Sequence, residues 1–352
     1  MQTESFRAST NLQAPAAARF RGPIWALLIL APVISEVLSG STRLSILFVL
    51  IPEIMVWGGG ALLCRELARR WHGGATSLLC LGLALSVAEE FIIQQTSIAP
   101  LPFAGANPGY GRYLGVNWLY LLFMLGFESV WVVLIPVQVT ELIFPDRRQG
   151  HWLRKRGLIA TCIAFVIGCR IAWYGWTQQA RPRLHAAPYH PPAILILIGF
   201  AAIAALISMA WLLRGYGHAG QVGSRQPASP WLIGIKACIF GAAWFELIGL
   251  MFVPHPGVAI WVPLTAGPVW ALLSFVLVRY WSAARGWRDI HRFALSFGAI
   301  LGCMAISDAS AMGWTRVDLV AKFVFQLFAV AGFLLLARKV SHREAASLAP
   351  CG

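Results

Sequence analysis

The sequence predicts an all-α membrane protein, a polytopic bundle of about ten transmembrane helices. Of its 352 residues, 58% are hydrophobic and only 12% are charged, and the mean hydropathy is +0.69. This surface is too apolar for one soluble core, so a lipid bilayer must cover much of it. The apolar residues also gather into runs of about 20, the length that a helix needs to cross a bilayer.

Loops rich in Pro, Gly and Arg separate the apolar runs and mark where each helix ends. The run at 76–97 is the least certain to insert by itself, because its two adjacent acids cost roughly 5 kcal/mol in mid-membrane. We therefore expect this helix to insert with partners. The ten predicted spans are 23–40, 44–64, 76–97, 117–142, 158–176, 193–213, 231–252, 258–278, 293–313 and 318–337.

The positions of the 28 basic residues predict the orientation of the bundle. If the N-terminus is cytoplasmic, the inner segments hold 20 of them, the outer segments hold five, and three lie within spans. Basic residues concentrate on the cytoplasmic side of membrane proteins. We therefore expect a multi-pass protein of a bacterial inner membrane with both termini in the cytoplasm, and the net charge of +14 reflects topology rather than nucleic-acid binding.

The chain is predicted to form one transmembrane domain at 23–337, between cytoplasmic tails at 1–22 and 338–352. Its expected partners are the lipid bilayer and, at the basic loop 147–156, anionic lipid. The sequence identifies no soluble partner. The seven cysteines have no C-x-x-C spacing and the eight histidines lie in loops or at their edges, so we predict no metal site and no cofactor.

Three polar or glycine-rich segments each allow two interpretations. The outer loop 98–115, with its Asn107-Pro108-Gly109 turn, is either a re-entrant lid or a linker. The glycines at 58–60 permit either close helix packing or an unwound stretch that binds an ion. Gln94 and Gln95 either bind a substrate amide or cap the third span.

Carboxylates inside the membrane are the most informative feature of the sequence. Half of the fourteen acidic residues fall well inside predicted spans, whereas only Arg170, Lys236 and Lys322 do so among the bases. An excess of acids cannot stay ionised in a low dielectric, so some must be protonated, metal-bound or in contact with water. The seven intramembrane acids are Glu36, Glu53, Glu89, Glu90, Glu128, Glu246 and Asp308.

These acids are also predicted to share a level in the membrane. Glu53 and Glu128 fall near the midplane, and the other five fall in the outer third of their helices. Arg170 is the one intramembrane base expected at that outer level. We therefore expect a carboxylate cluster in the outer half of the bundle.

The segment V-A-E-E-F-I-I-Q-Q at 87–95 resembles the first motif of the CAAX-protease and bacteriocin-processing (CPBP) family of glutamate-dependent intramembrane proteases. The resemblance implies that Glu89 or Glu90 is a general base that activates water for peptide cleavage. The family has an arginine where Gln94 stands, and its F-x-x-x-H motif corresponds to a segment that ends in Trp131. The pattern E-E-x-x-x-x-Q, ending at Gln95, also resembles a set of uncharacterised bacterial multi-pass membrane proteins.

Three functions follow from these residues. The first, which the sequence favours over the other two, is a CPBP-like intramembrane hydrolase, with Glu89 and Glu90 in the base role and Glu128 as a supporting acid. The second is a proton- or cation-coupled transporter, in which the carboxylates form a relay and Arg170 is the counter-charge. The third is a non-catalytic scaffold or sensor that the acids hold together. The relay of the second function would use Glu36, Glu53, Glu128, Glu246 and Asp308.

Overall fold

The computed structural model describes residues 21–102, 109–186, 189–216, 226–252 and 256–348. Nine helices of these ranges are long and apolar enough to cross a membrane, and a tenth, at the N-terminal end, is shorter. This confirms the predicted all-α bundle. The helices are α1 (Gly22–Val37), α2 (Leu44–Arg70), α3 (Ala75–Ile93), α4 (Trp118–Ile143), α5 (Lys155–Arg183), α6 (Ala193–Gly215), α7 (Pro230–Phe252), α8 (Trp261–Ser282), α9 (Asp289–Ser310) and α10 (Arg316–Leu348).

Each predicted apolar run has a matching helix, but three helices extend well beyond their runs. Helix α2 continues to Arg70, although its apolar run ends near 64. Helix α10 continues to Leu348, although its apolar run ends near 337. Helix α5 reaches Arg183, although its apolar run ends near 176. Polar residues at helix ends add turns without adding apolar surface, so hydropathy alone places these ends too early.

The arginine-rich loops meet at one end of the bundle, which we call the basic end. The side chain of Arg65 donates to the carbonyl of Gly150, and Arg148 pairs with Asp289 at 2.8 Å. Arg343 donates to the carbonyl of Leu142. The loops predicted to lie on the cytoplasmic side thus share one face of the molecule.

The loop between α1 and α2 and the loop between α9 and α10 meet at the opposite end. The backbone N–H and the hydroxyl of Ser45 both donate to the carboxylate of Asp318, at 2.9 and 3.0 Å. The guanidinium of Arg43 lies 4.3 Å above the ring of Trp314. A two-stranded hairpin, β1 (Arg112–Tyr113) and β2 (Val116–Asn117), also lies at this end.

Helix α4 lies at the centre and contacts α1, α3, α7, α8 and α9. An aromatic stack along it, Phe123, Phe127 and Trp131, packs edge-on against Phe245 of α7, with ring centroids 5.0 to 5.7 Å apart. Such edge-to-face pairs add roughly 0.5–1.5 kcal/mol each to the burial of apolar surface. The stack fixes the rotation of α4 and therefore the direction in which its polar side chains point.

The glycines at 58–60 serve close packing. A Cβ atom on Gly58 would overlap the backbone carbonyl of Leu28 on α1, and one on Gly60 would lie 2.8 Å from the side chain of Leu85 on α3. The backbone remains helical through these positions. Of the two interpretations of this segment, the structure supports helix packing.

Four helices change from α to π geometry where they carry a carboxylate. The π-helical segments are Val33–Val37, which contains Glu36, Ile54–Gly58, which follows Glu53, Glu89–Ile93, and Glu128–Leu134. Segments of this kind are rare and occur often at functional sites. A fifth, Tyr174–Ala180, contains no carboxylate.

The loop between α3 and α4 is only partly described. Gln95 ends α3 in the left-handed conformation, with φ of 61°, and its side-chain amide donates to the carbonyl of Ile92. The side chain of Asn117 accepts from the N–H of Tyr120 and caps α4. In the predicted turn at 107–109, Asn107 and Pro108 lie outside the described residues.

Candidate carboxylate site

The carboxylates of the first four helices gather in the interior of the bundle. Glu36 lies on α1, Glu53 on α2, Glu89 and Glu90 on α3, and Glu128 on α4. Glu89, Glu90 and Glu128 are 4%, 1% and 2% exposed, respectively. The carboxylate of Glu128 interacts electrostatically with those of Glu90, Glu89 and Glu36, so these four groups form one cluster.

Glu89 and Glu128 face a shared cavity. It is a narrow, partly open space between α2, α3 and α4 whose volume, about 10 Å³, is enough for roughly one water molecule, and both carboxylates line it. Neither one has a hydrogen-bond partner among the described residues, and the hydroxyl of Ser86 lies beside Glu128 without reaching hydrogen-bond geometry. The rest of the lining is Val56, Trp57, Leu85 and Val132.

Glu90, unlike Glu89, has a hydrogen-bond partner. The hydroxyl of Ser97 donates to its carboxylate at 2.6 Å, and the backbone N–H of Ser97 also points to it. Adjacent residues of a helix point about 100° apart. Glu89 therefore faces the cavity, while Glu90 holds the chain that leaves α3.

Glu36 and Glu53 form a second arm of the cluster, toward the end opposite the basic end. The two carboxylates interact electrostatically, and Glu36 also interacts with Glu89. Thr42 donates its hydroxyl to Glu53 and its backbone N–H to the carbonyl of Glu36. Trp57, which lines the cavity, lies beside the carboxylate of Glu36 and joins this arm to the cavity.

Tyr120 is a member of the site that the sequence argument missed. Its side chain is 8% exposed and interacts with the carboxylates of Glu90, Glu128, Glu89 and Glu36. The only signal in the sequence was a hydroxyl on an otherwise apolar helix, two turns before Glu128. Thr42 and Ser97, which hold two of the glutamates, were missed for a similar reason, since both lie in short loops.

The structure leaves two of the predicted acids outside the cluster. Glu246 on α7 is exposed on the surface of the bundle. Asp308 on α9 pairs with Lys322 at 3.3 Å and accepts from Gln326 at 2.8 Å. Lys322 makes this contact although Asp318 lies one turn before it on the same helix.

No basic side chain of the described residues pairs with the cluster. Arg170, expected to be its counter-charge, is exposed and lies 4.3 Å above the ring of Trp173. Lys322 is held by Asp308 and by the hydroxyl of Ser307. The cluster is therefore acidic, and its charge is not balanced by lysine or arginine.

The histidines of the described ranges lie away from the carboxylates. His291, which is buried, stacks on Trp287 at the basic end, with ring centroids 5.1 Å apart. Among the described residues, no group of three or more His, Cys, Asp and Glu side chains has the geometry to hold a metal ion. The site thus offers carboxyl oxygens, the Tyr120 phenol and nearby hydroxyls as its chemical groups.

A buried ion-pair network closes the basic end of the same helices. Arg65, 1% exposed, pairs with Glu141 of α4 at 3.3 Å and stacks on Trp152 with its guanidinium 3.6 Å from the ring. Glu66, 0% exposed, accepts from the backbone N–H groups of Trp152 and Leu153. Because these contacts tie the loop after α4 to α2, they fix the helices below the cavity.

Comparison of the chain with known proteins identifies no family. No family model matches the chain, and no curated protein and no solved structure matches it. The resemblance to the CPBP proteases thus rests on the short Glu89-Glu90 segment. The geometry of the carboxylate site is therefore the basis for inferring its function.

Two unpaired carboxylates at one small cavity can bind and release protons or contact a cation. A buried carboxylate without a partner is costly when ionised, so the pair favours a state in which at least one group is neutralised by a proton or by a bound cation. Like charges placed close together strengthen this preference. Reversible binding of a positive ion is the chemistry that this arrangement supports most directly.

Proposed function

We propose that this protein is a proton- or cation-coupled membrane transporter, and that Glu89 and Glu128 form its ion-binding site. The observation that carries the proposal is the pair of buried carboxylates that face one cavity without hydrogen-bond partners. Ionisable residues inside a bundle of membrane helices commonly mark the path of an ion. The π-helical turns at each carboxylate support the same conclusion, because they place irregular backbone at the site.

A flux measurement tests this proposal. The purified protein is reconstituted into K⁺-loaded vesicles with a trapped pH dye, and valinomycin imposes an inside-negative potential. We expect wild type to acidify the lumen, directly or in exchange for a cation, and Glu89→Gln and Glu128→Gln to reduce the rate by about tenfold or more, since an amide carries no exchangeable charge. Glu246→Gln is the matched control, because it changes an exposed glutamate outside the cluster. Equal rates for wild type and empty vesicles would overturn the proposal.

A CPBP-like hydrolase is the second candidate, and one observation favours it. Two carboxylates at one cavity are the groups that a general acid and base require. In this alternative Glu89 is the base and Glu128 the acid, because Glu90 is held by Ser97. The histidines that the family resemblance implies have no counterpart near the cavity in the described ranges, and for this reason we rank the hydrolase below the transporter.

Cleavage of a membrane-tethered peptide in the same vesicles separates the two candidates. Cleavage that is lost in Glu89→Gln and kept in Glu246→Gln, without any ion flux, would establish the hydrolase. Flux without cleavage would establish the transporter. A scaffold would show neither activity in wild type.

A further inference from the structure

We propose that the ion bound by this site is a proton, and that it reaches the cavity from the end opposite the basic end, along Thr42, Glu53 and Glu36. This inference rests on the proposed function and extends it, because it names the ion and the path. It is carried by the composition of the cavity lining, by the contacts of Glu36 and Glu53, and by the closed basic end.

The lining of the cavity favours a proton over a metal ion. Its six residues supply two carboxylates and otherwise only apolar side chains and the indole of Trp57. Hard cations such as Ca²⁺ and Mg²⁺ need six or more oxygen ligands, drawn from carboxylates, carbonyls and waters. A proton needs one carboxylate oxygen, and a second carboxylate nearby can receive it.

Glu36 connects the cavity to the surface. On one side it interacts with Glu89 and Glu128, and on the other with Glu53. It is only partly buried, whereas Glu89 and Glu128 are almost fully buried. Glu36 is thus the residue of this group that keeps some exposed surface, although its carboxyl group is itself enclosed by protein.

The segment after α1 completes the path. Helix α1 ends at Val37, and the chain then turns at Gly40, where φ is +85°. A Cβ atom on Gly40 would lie 2.5 Å from the ring of Trp314. Ser41, which follows, is exposed and lies beside the carboxylate of Glu36. Thr42 donates to Glu53, so hydroxyl and carboxyl groups follow one another from the surface to Glu36.

Each proton transfer along this path conserves atoms and charge. An O–H bond breaks at Glu36 and one forms at the ionised carboxylate of Glu89, so that Glu36 becomes ionised. A hydronium ion from the solvent at the exposed Ser41 then protonates Glu36 and leaves water, or a protonated Glu53 does so and becomes ionised until the solvent protonates it again. One proton moves inward in each step, and no other reactant is required.

The titratable groups around this path come from seven helices. Beyond the glutamates, Cys169 of α5 interacts with Glu89, and Cys303 of α9 interacts with both Glu36 and Asp308. Tyr120 of α4 interacts with the glutamates, and Lys322 of α10 is held by Asp308. The path therefore contains proton acceptors, and the two nearby cations are engaged elsewhere, Lys322 with Asp308 and Arg43 with the ring of Trp314.

The described residues of the basic end do not offer an equivalent path in this state. At the basic end, Arg65 donates to the carbonyls of Arg147, Arg148 and Gly150. Glu66 accepts two backbone N–H groups there. Every group of this network is engaged, and the aromatic ring of Trp152 covers the guanidinium. The site in this structure is therefore reached from the opposite end.

The test uses the reconstituted full chain and two substitutions that leave the cavity intact. We expect proton uptake to persist when choline replaces Na⁺, and Glu36→Gln to slow uptake by about tenfold or more because it removes a proton carrier. Glu36→Asp should restore part of the rate, and Glu246→Gln should match wild type. Thr42→Val should slow uptake, whereas Thr265→Val, at an exposed hydroxyl of α8, should leave it unchanged. Thermal unfolding of each variant establishes that it is folded.

The outcomes separate this inference from the proposed function. Uptake that requires Na⁺ overturns the assignment of the proton. A wild-type rate in Glu36→Gln, with loss of flux in Glu89→Gln, overturns the path and leaves the transporter standing. Absence of flux in wild type overturns both.

Discussion

Glu89 of α3 and Glu128 of α4 face the same cavity, and neither carboxylate has a hydrogen-bond partner among the described residues. The adjacent Glu90, in contrast, accepts a hydrogen bond from the hydroxyl of Ser97 at 2.6 Å. The neighbouring glutamates Glu89 and Glu90 of α3 therefore differ in whether their carboxylates are hydrogen-bonded. One is held by the fold, and the other is available for chemistry.

This difference predicts opposite effects on stability. Glu89→Met removes an unpaired polar group and replaces it with an apolar side chain of similar length, so we expect the free energy of unfolding to rise by about 1 kcal/mol or more. Glu90→Met leaves Ser97 without its acceptor and should lower the free energy by about 1–3 kcal/mol. Thermal unfolding in detergent measures both. A loss of stability in Glu89→Met would support the scaffold instead.

The phenol of Tyr120 gives a second prediction. It lies near four carboxylates, so its polar O–H group can stabilise negative charge that forms in the cluster. We expect Tyr120→Phe to slow ion flux by about tenfold while the protein remains folded, because negative charge in the cluster becomes costlier. Tyr113→Phe is the control, since Tyr113 is 68% exposed. Equal flux in the two variants would remove Tyr120 from the site.

The network at the basic end predicts a large structural effect. Arg65→Met leaves Glu66 and Glu141 with buried charge that is only partly compensated, and removing one partner of a buried ion pair costs about 3–5 kcal/mol. Arg70→Met should cost about 1 kcal/mol or less, because Arg70 is partly exposed and pairs with Glu66 at the longer distance of 3.5 Å. Similar midpoints of thermal unfolding for the two variants would show that Arg65 does not fix this end.

The orientation of the bundle is a prediction of charge alone. Because the arginine-rich loops share one end, we expect that end to face the cytoplasm. A fluorescent protein fused after Gly352 should fluoresce in bacterial cells, and alkaline phosphatase at the same position should be inactive. The same phosphatase inserted next to Gly313, in the loop between α9 and α10 at the opposite end, should be active. The reverse pattern would place the Glu36 path on the cytoplasmic side.

Much of the fold was predictable because length and apolarity decide which segments cross a bilayer. The ten apolar runs correspond to the ten helices, and the acids of α1 to α4 do gather. The rotation of each helix was not predictable, because helices such as α3 and α7 are apolar on every face, toward lipid and toward protein alike. For this reason Glu246 was placed with the cluster although it points outward.

Contacts between segments that are far apart in the sequence could not be predicted either. Asp308 was expected in the relay, but Lys322 and Gln326 of the next helix hold it. Arg170 was expected to balance the acids, but it lies against Trp173 at the surface. The π-helical turns depend on how neighbouring helices pack, and no local pattern of residues predicts them.

Infrared difference spectroscopy of the reconstituted protein tests most directly whether Glu89 and Glu128 form one proton-binding site. A pH change should produce a band from the C=O stretch of a protonated carboxyl group, and this band should shift in D₂O. We predict that Glu89→Gln and Glu128→Gln each alter or remove the band, because the two groups share a proton, and that Glu246→Gln leaves it unchanged. A band that is identical in wild type, Glu89→Gln and Glu128→Gln would contradict the account.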